Sequence, residues 1–169
     1  MDAASGALAG LPPVVARNTR LLVLGSFPGV RSLQARQYYA HPQNHFWRIL
    51  GALWSVDMAG MAYEARLDEL RRRGLGLWDV YASCQRQGSL DSAIRQPRLN
   101  DFAQLKTQCP QLRAIAHNGG ESFRHARATR ALGYAVHRLP SSSPANASWS
   151  MARKCEAWAE TLRLYGLLD

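Results

Sequence analysis

The chain has 169 residues, 47% hydrophobic and 20% charged, a balance that suits one globular domain with a real core and excludes a disordered or low-complexity chain. Its formal net charge of +9 favours a polyanionic partner, since each cation near a phosphate releases condensed counterions; an arginine-rich solvated surface is the plainer alternative. Cys84, Cys109 and Cys155 make neither a disulfide framework nor a C-x-x-C metal knuckle, Met1 to Gly10 does not read as a signal peptide, and no apolar run approaches the ~18 residues of a membrane span, so a soluble protein in a reducing cytoplasm is expected.

Residues 1–19 read as an extended lead-in to a single domain spanning 1–169. Leu21-Leu22-Val23-Leu24 is continuously apolar, the mark of a strand buried on both faces, and Gly25-Ser26-Phe27-Pro28-Gly29 turns the chain. After a loop through Tyr38 to Asn44, a helix is predicted with Phe46, Ile49, Leu50 and Leu53 at helical spacing. A second runs from about Ala62 to Arg73, where Arg71, Arg72 and Arg73 suit the negative end of the helix dipole and Gly74 stops it. Leu75 to Val80 is the second predicted strand. Asp101 with Gln104 has the form of a capping box before Phe102 and Leu105. Leu112 to His117 is the third strand, Asn118-Gly119-Gly120 opens a helix ending near Gly133, and Tyr134 to Leu139 is the fourth. The last helix carries Met151, Cys155, Trp158, Leu162 and Tyr165 on one face.

Strands alternating with helices imply crossover units and a mostly parallel sheet covered on both faces. In such a sheet the working site lies beyond the carboxyl ends of the strands. Those ends carry Gly25 to Gly29, Asp79, Asn118 and the Ser141-Ser142-Ser143-Pro144 run with Asn146, with His41, Asn44 and His45 close behind the first turn and aromatics interleaved. Hydrogen-bonding groups beside rings are what a pocket for an extruded base requires, and glycines let backbone amides approach phosphate. The chain has no phosphate-binding G-x-x-x-x-G-K-[ST] loop, no dinucleotide fingerprint, no H-E-x-x-H, no zinc-spaced cluster and no G-x-S-x-G elbow, so no metal or nucleotide cofactor is expected.

Four segments in order go further. Gly25 to Gly29, Tyr38-Tyr39-Ala40-His41-Pro42-Gln43-Asn44-His45-Phe46-Trp47, Gly76-Leu77-Trp78-Asp79-Val80 and Leu139-Pro140-Ser141-Ser142-Ser143-Pro144-Ala145-Asn146 together resemble the uracil-DNA glycosylase superfamily, and within it the deoxyinosine (hypoxanthine-DNA) glycosylase branch. The resemblance spans roughly residues 20 to 160 and implies a three-layer α/β/α sandwich around a four-stranded parallel sheet. It also implies cofactor-free hydrolysis of the N-glycosidic bond of a deaminated base in base excision repair. In the superfamily the first motif cradles phosphate and positions the attacking water, in many branches through an Asp or Asn. Phe27 stands at that position here, which argues for the branch that assigns the water to a downstream Asn, matched by Asn44.

The resemblance makes Asn44 the catalytic residue and Asp79 a reader of the base; from their places by the strand ends, Asn118 is a further candidate for the base edge and Phe27 and Phe46 are candidate rings to stack on it. Gly25, Ser26, Pro28 and Gly29 are the first phosphate-binding loop, and Ser141 to Asn146, including Ala145, the phosphate and wedge loop, with Arg153 as a further phosphate contact. Each has a plainer reading: Asn44 as a helix cap, Asp79 as a cap for the next loop's amides, Phe27 and Phe46 as core, Arg153 as a solvated side chain. The second motif lacks the His that many branches carry, since Leu139 precedes Pro140, so Ser142, Ser143 or backbone amides must help the leaving group. Lys106 and Lys154 are the only lysines and neither is expected near a motif; a Schiff-base lyase step is not expected, and a monofunctional, monomeric enzyme that leaves an abasic site is. Preference for uracil or xanthine, a DNA-binding module without chemistry, and a serine hydrolase using Ser142 or Ser143 with His41 or His45 stay open.

Overall fold

The computed structural model describes residues 6–169. Its centre is a four-stranded, all-parallel sheet of β2 (Leu21–Gly25), β3 (Leu75–Asp79), β6 (Ala114–Asn118) and β7 (Ala135–Leu139), in the spatial order β3-β2-β6-β7. The runs are apolar without alternation because both faces are covered. Leu21 and Val23 point into one core with Leu75, Leu77, Ala114 and Ala116, while Leu22 and Leu24 point into a second with Trp78 and Ile115. The first core is closed by α2 (Phe46–Trp54), α3 (Tyr63–Arg73) and α7 (Met151–Leu164), the second in part by Phe102, Leu105 and Cys109 around the short α4 (Leu105–Gln108). These are the three layers expected.

Local chemistry sets the boundaries. Gly74 ends α3 at φ 85°, a left-handed conformation that costs glycine little, and α7 opens where the Ser150 side chain accepts from Arg153 N. Asp101 accepts from Ala103 N as anticipated, but Gln104 donates to the Asp101 carbonyl, and a single 3-10 turn precedes α4. The helix expected from Gly120 to Gly133 is two pieces, α5 (Gly120–Phe123) and α6 (Ala126–Ala131), broken at Arg124–His125.

The lead-in is more structured than expected. Residues 1–5 lie outside the described residues, but β1 (Ala7–Ala9) pairs antiparallel with β4 (Tyr81–Gln85), and Val14 bridges to Leu77. β4 also pairs with β5 (Arg95–Leu99), giving a three-stranded antiparallel sheet that the sequence pattern did not indicate. Every residue of β5 is exposed, so it carries no buried face for a hydrophobic period to reveal. Among the described residues no helix is long and apolar enough to cross a membrane.

Candidate active site

Parallel register brings the strand ends level: Gly25 pairs with Asp79, and Asn118 with Leu139. Beyond them opens a cavity of about 980 Å³. Gly25, Ser26, Phe27, Pro28 and Gly29 line it, as do Asn44, Asp79, Asn118 and Ser141 to Asn146, together with α1 residues Val30 to Ser32 at the start of the helix Val30–Ala35. Thus groups 35 residues apart along the chain, at positions 44 and 79, share one wall-lined space.

Asp79 is only 4% exposed, and its Oδ2 has no hydrogen-bond partner among the described residues. Burial, reinforced by the nearby Asp91 carboxylate and partly offset by Arg86, raises its pKa from the ordinary 3.8 to about 7. The capping alternative for Asp79 is not realised: Val80 N donates to Gly25 O at 2.8 Å and Tyr81 N to Ser26 O at 3.1 Å, leaving the carboxyl to the cavity. A side chain at Gly25 would conflict with this arrangement, since a Cβ there would lie 2.5 Å from Asp79 Oδ1 and 3.1 Å from Tyr39 Oη.

Asn118 is equally well placed and differently used. Its Nδ2 donates to Tyr39 Oη at 3.1 Å and to Ser142 Oγ at 3.0 Å, and its Oδ1 accepts from Ser142 N at 3.0 Å. Both amide hydrogens are committed, so the side chain has no donor left for a base and acts as a brace between the loop after β7 and Tyr39. Asn118 lines the cavity and keeps one lone pair on Oδ1, so it can meet the base only as an acceptor.

Phe46 requires a correction. It is 0% exposed and sits behind Tyr39, whose ring stacks on it at 4.2 Å, with Trp47 and Trp158 against its edges. Tyr39, not Phe46, faces the cavity, and it is held at φ 55°, a left-handed backbone that few tyrosines adopt. Phe27 does face the cavity, with the Arg86 guanidinium 5.3 Å from its ring centre. Arg153 does not reach the cavity wall; it lies 4.2 Å over the ring of Trp149, which does.

Asn44 both caps and faces the cavity. Its Oδ1 accepts from Phe46 N at 2.9 Å, and its backbone N donates to His41 O at 2.9 Å. A carbonyl oxygen has two lone pairs, so one remains for a water. The neighbouring His45 N donates to Ser142 O at 2.9 Å, which ties the start of α2 to the loop after β7.

Lys154 overturns one expectation. Far from being remote, it is fully buried beneath that loop, with Nζ 3.1 Å from His45 Nδ1 and 3.4 Å from Ser143 O. Burial, then the Arg48 charge, lowers its pKa. It does not line the cavity, so it braces the loop from behind. This also removes the serine-hydrolase alternative: His45 Nδ1 faces Lys154, His41 Nδ1 accepts from Gln43 N at 3.1 Å, and Ser142 Oγ accepts from Asn118. Neither the Ser142 nor the Ser143 hydroxyl pairs with the ring of His41 or His45 among the described residues; the one Ser–His side-chain contact, His117 Nδ1 with Ser122 Oγ at 2.8 Å, is buried behind the strands and does not line the cavity.

Sequence reasoning assigned no role to Tyr39, to Trp149, or to Ser89 through Ser92, all of which line the cavity. Tyr39 stood inside a recognised segment, but its facing the cavity is set by tertiary packing, with Oη accepting from Asn118 Nδ2, and residues 89–92 belong to a connection with no pattern of its own.

A superfamily-wide pattern, that of the uracil DNA glycosylase superfamily, matches residues 12–163. The chain belongs to that superfamily. Among its relatives is a hypoxanthine DNA glycosylase of Methanosarcina barkeri, 41% identical over 154 residues, which cover 91% of this chain and 97% of the relative. A G/U mismatch-specific uracil DNA glycosylase of Schizosaccharomyces pombe is 28% identical over 100 residues, 58% of this chain and 29% of that protein. A Methanosarcina acetivorans protein solved by solution NMR superposes with a TM-score of 0.83 at 40% identity, covering 94% of this chain and 98% of its own. The superfamily's four-stranded parallel sheet thus accounts for the level strand ends and the cavity above them.

Proposed function

We propose that this protein is a monofunctional glycosylase that hydrolyses the N-glycosidic bond of hypoxanthine in DNA, leaving an abasic site for base excision repair. The extended similarity to proteins named hypoxanthine DNA glycosylase supports the substrate. The observation that carries the reading is the buried carboxyl of Asp79, with Oδ2 unpartnered among the described residues, at the wall of a cavity large enough to admit a base. A buried polar group without a partner costs free energy in the free protein, and a ligand that supplies the partner recovers it.

Hypoxanthine presents N1–H beside the O6 carbonyl. A neutral carboxylic acid at Asp79 accepts from N1–H and donates to O6 with its two oxygens. The ionised form accepts from N1–H but repels O6, and it opposes the negative charge that grows on the departing base. The neutral form is therefore the working one, and burial together with Asp91 favours it. On the sugar side, the free lone pair of Asn44 Oδ1 orients a water toward C1′; an amide is no strong base, so its contribution is positioning and electrostatics. Tyr39 and Phe27 supply rings against the extruded base, and Arg31 and Arg138, which also line the cavity, supply charge for phosphate. The working state is a monomer in a reducing cytoplasm.

Duplexes carrying a single inosine, uracil or xanthine, incubated with the protein and then treated with alkali, test this. Cleavage at inosine above the other two is expected. An intact inosine strand under conditions where the protein binds DNA would reduce it to a DNA-binding module.

A further inference from the structure

The cavity is longer than one nucleobase needs. Asp79 closes β3 and Leu139 closes β7, and these are the two outer strands of the parallel sheet. Three strand spacings of about 4.8 Å put the two ends about 14 Å apart. Past β7 the wall continues through Pro140, Trp149 and Ala157 of α7. Pro140 O accepts from Trp158 Nε1 at 3.0 Å, which holds α7 against this end of the sheet. A base read by Asp79 occupies the β3 end and leaves the far lobe for something else.

The side chain that dominates this lobe is unlike the core tryptophans. Trp47, Trp54 and Trp158 are buried and donate their indole N–H to main-chain carbonyls. Trp149 is half-buried at the cavity wall and makes no such bond among the described residues. The Arg153 guanidinium lies 4.2 Å from the centre of its ring while staying off the wall, so the cation backs the indole from outside the cavity. Ser150 Oγ accepts from Arg153 N at 3.2 Å and caps α7, so ring and cation stand together on one helix start. A flat ring held in this way suits any nucleobase, because every base has a π-face to lay on it. The Arg138 guanidinium lies beside Gly120, 3.2 Å from where a Cβ there would sit, and gives phosphate a cation between the two ends.

We propose that Trp149, backed by Arg153, is the stacking platform for a second base, an unpaired neighbour of the target in the same strand. The proposal rests on the glycosylase reading above and deepens it: single-stranded or locally melted DNA is the substrate form that uses both ends of the cavity. The ring receives a base and does not enter a stack, since one of its faces is already taken by Arg153. In a closed duplex the neighbouring base stays paired and does not reach it.

The test uses single-stranded oligonucleotides with one inosine, and a tetrahydrofuran residue replacing the nucleoside one or two places to its 5′ or 3′ side. This removes a base and keeps every phosphate. For wild type, one of these replacements should raise KM about tenfold with kcat unchanged. Trp149→Ala should show the same rise on the strand with all bases present, and no further rise at the replaced position. Trp149→Phe should restore most of the dependence. Wild type indifferent to all four replacements, or active on inosine only in duplex, overturns the platform and leaves the glycosylase reading in place. So does a Trp149→Ala variant that still responds to the missing base, or one whose loss is confined to duplex. Wild type that cleaves at inosine in neither form removes both readings together.

Discussion

Two buried polar side chains stand at neighbouring strand ends on either side of Gly25, and they have opposite histories in the fold. Asn118, closing β6, spends both donor hydrogens and one acceptor on Tyr39 and Ser142. Asp79, closing β3, has an oxygen that nothing among the described residues satisfies. Both were candidates for touching the base. The difference teaches that a side chain whose donors are all spent marks a part of the frame, and one with an oxygen left wholly without a partner marks the place kept for something else. Asn44 falls between the two, with one lone pair committed to Phe46 N and one still open.

The intermediate case should show the largest effect on rate. Asn44→Ala is expected to lower single-turnover cleavage of an inosine duplex about 10³-fold, on the scale of losing one preorganised polar group, with DNA affinity nearly unchanged. Loss of the cap should also cost about 1 kcal/mol, read as a small drop in Tm. Full activity in this variant would remove Asn44 from the chemistry.

The comparison itself breaks if Asp79 and Asn118 respond alike. Asp79→Leu should lower kcat/KM about 10²-fold and yet raise the Tm at pH 8, because it removes a buried charge without a partner. Asn118→Ala should lower activity about tenfold by loosening the Ser142 loop, and should also lower stability by about 2 kcal/mol, since Ser142 N loses its acceptor. A stabilising Asn118→Ala, or a destabilising Asp79→Leu, would reverse the assignment of frame and site.

Acidity gives the finest test. Because the Asp79 pKa is raised from 3.8 to about 7, the folded protein binds more protons at this site than the unfolded chain between those values. Stability from this group is therefore present below about 4 and is lost as pH rises to about 7, where ionisation inside the fold levels off the change. The activity carried by the neutral acid should decline over the upper part of that range, several-fold between pH 6 and 8. Asp79→Asn, which fixes a donor beside an acceptor, should flatten both profiles and remain active on inosine. A strongly pH-dependent Asp79→Asn variant would locate the titration elsewhere.

The parallel sheet was legible in the sequence because it is buried on both sides: runs such as Leu21 to Leu24 have no other reason to be continuously apolar. The antiparallel sheet was not, because β5 reads Arg-Gln-Pro-Arg-Leu and buries nothing. At the site, the strand-end rule and the resemblance found Asp79, Asn44 and the two loops, whose positions follow from chain order alone. They could not separate Asn118 from Asp79, since hydrogen-bond completeness depends on where Ser142 and Tyr39 come to rest. Phe46 and Tyr39 were confused for a related reason: seven residues apart in one aromatic-rich segment, they are told apart by tertiary packing around Tyr39 that spacing does not record. Lys154 was misjudged because distance along the chain, 109 residues from His45, says nothing about distance in space.

The close approach of the Asp79 carboxyl to the Gly25 backbone has a consequence for how this protein can change over generations. An alanine at position 25 collides with a full-length acid at 79, so that substitution is admissible only in a chain where residue 79 has already been shortened or turned away. The reverse order meets no such obstacle. Positions 25 and 79 therefore form a one-way street for mutation, and the acid has to be surrendered before the glycine can be.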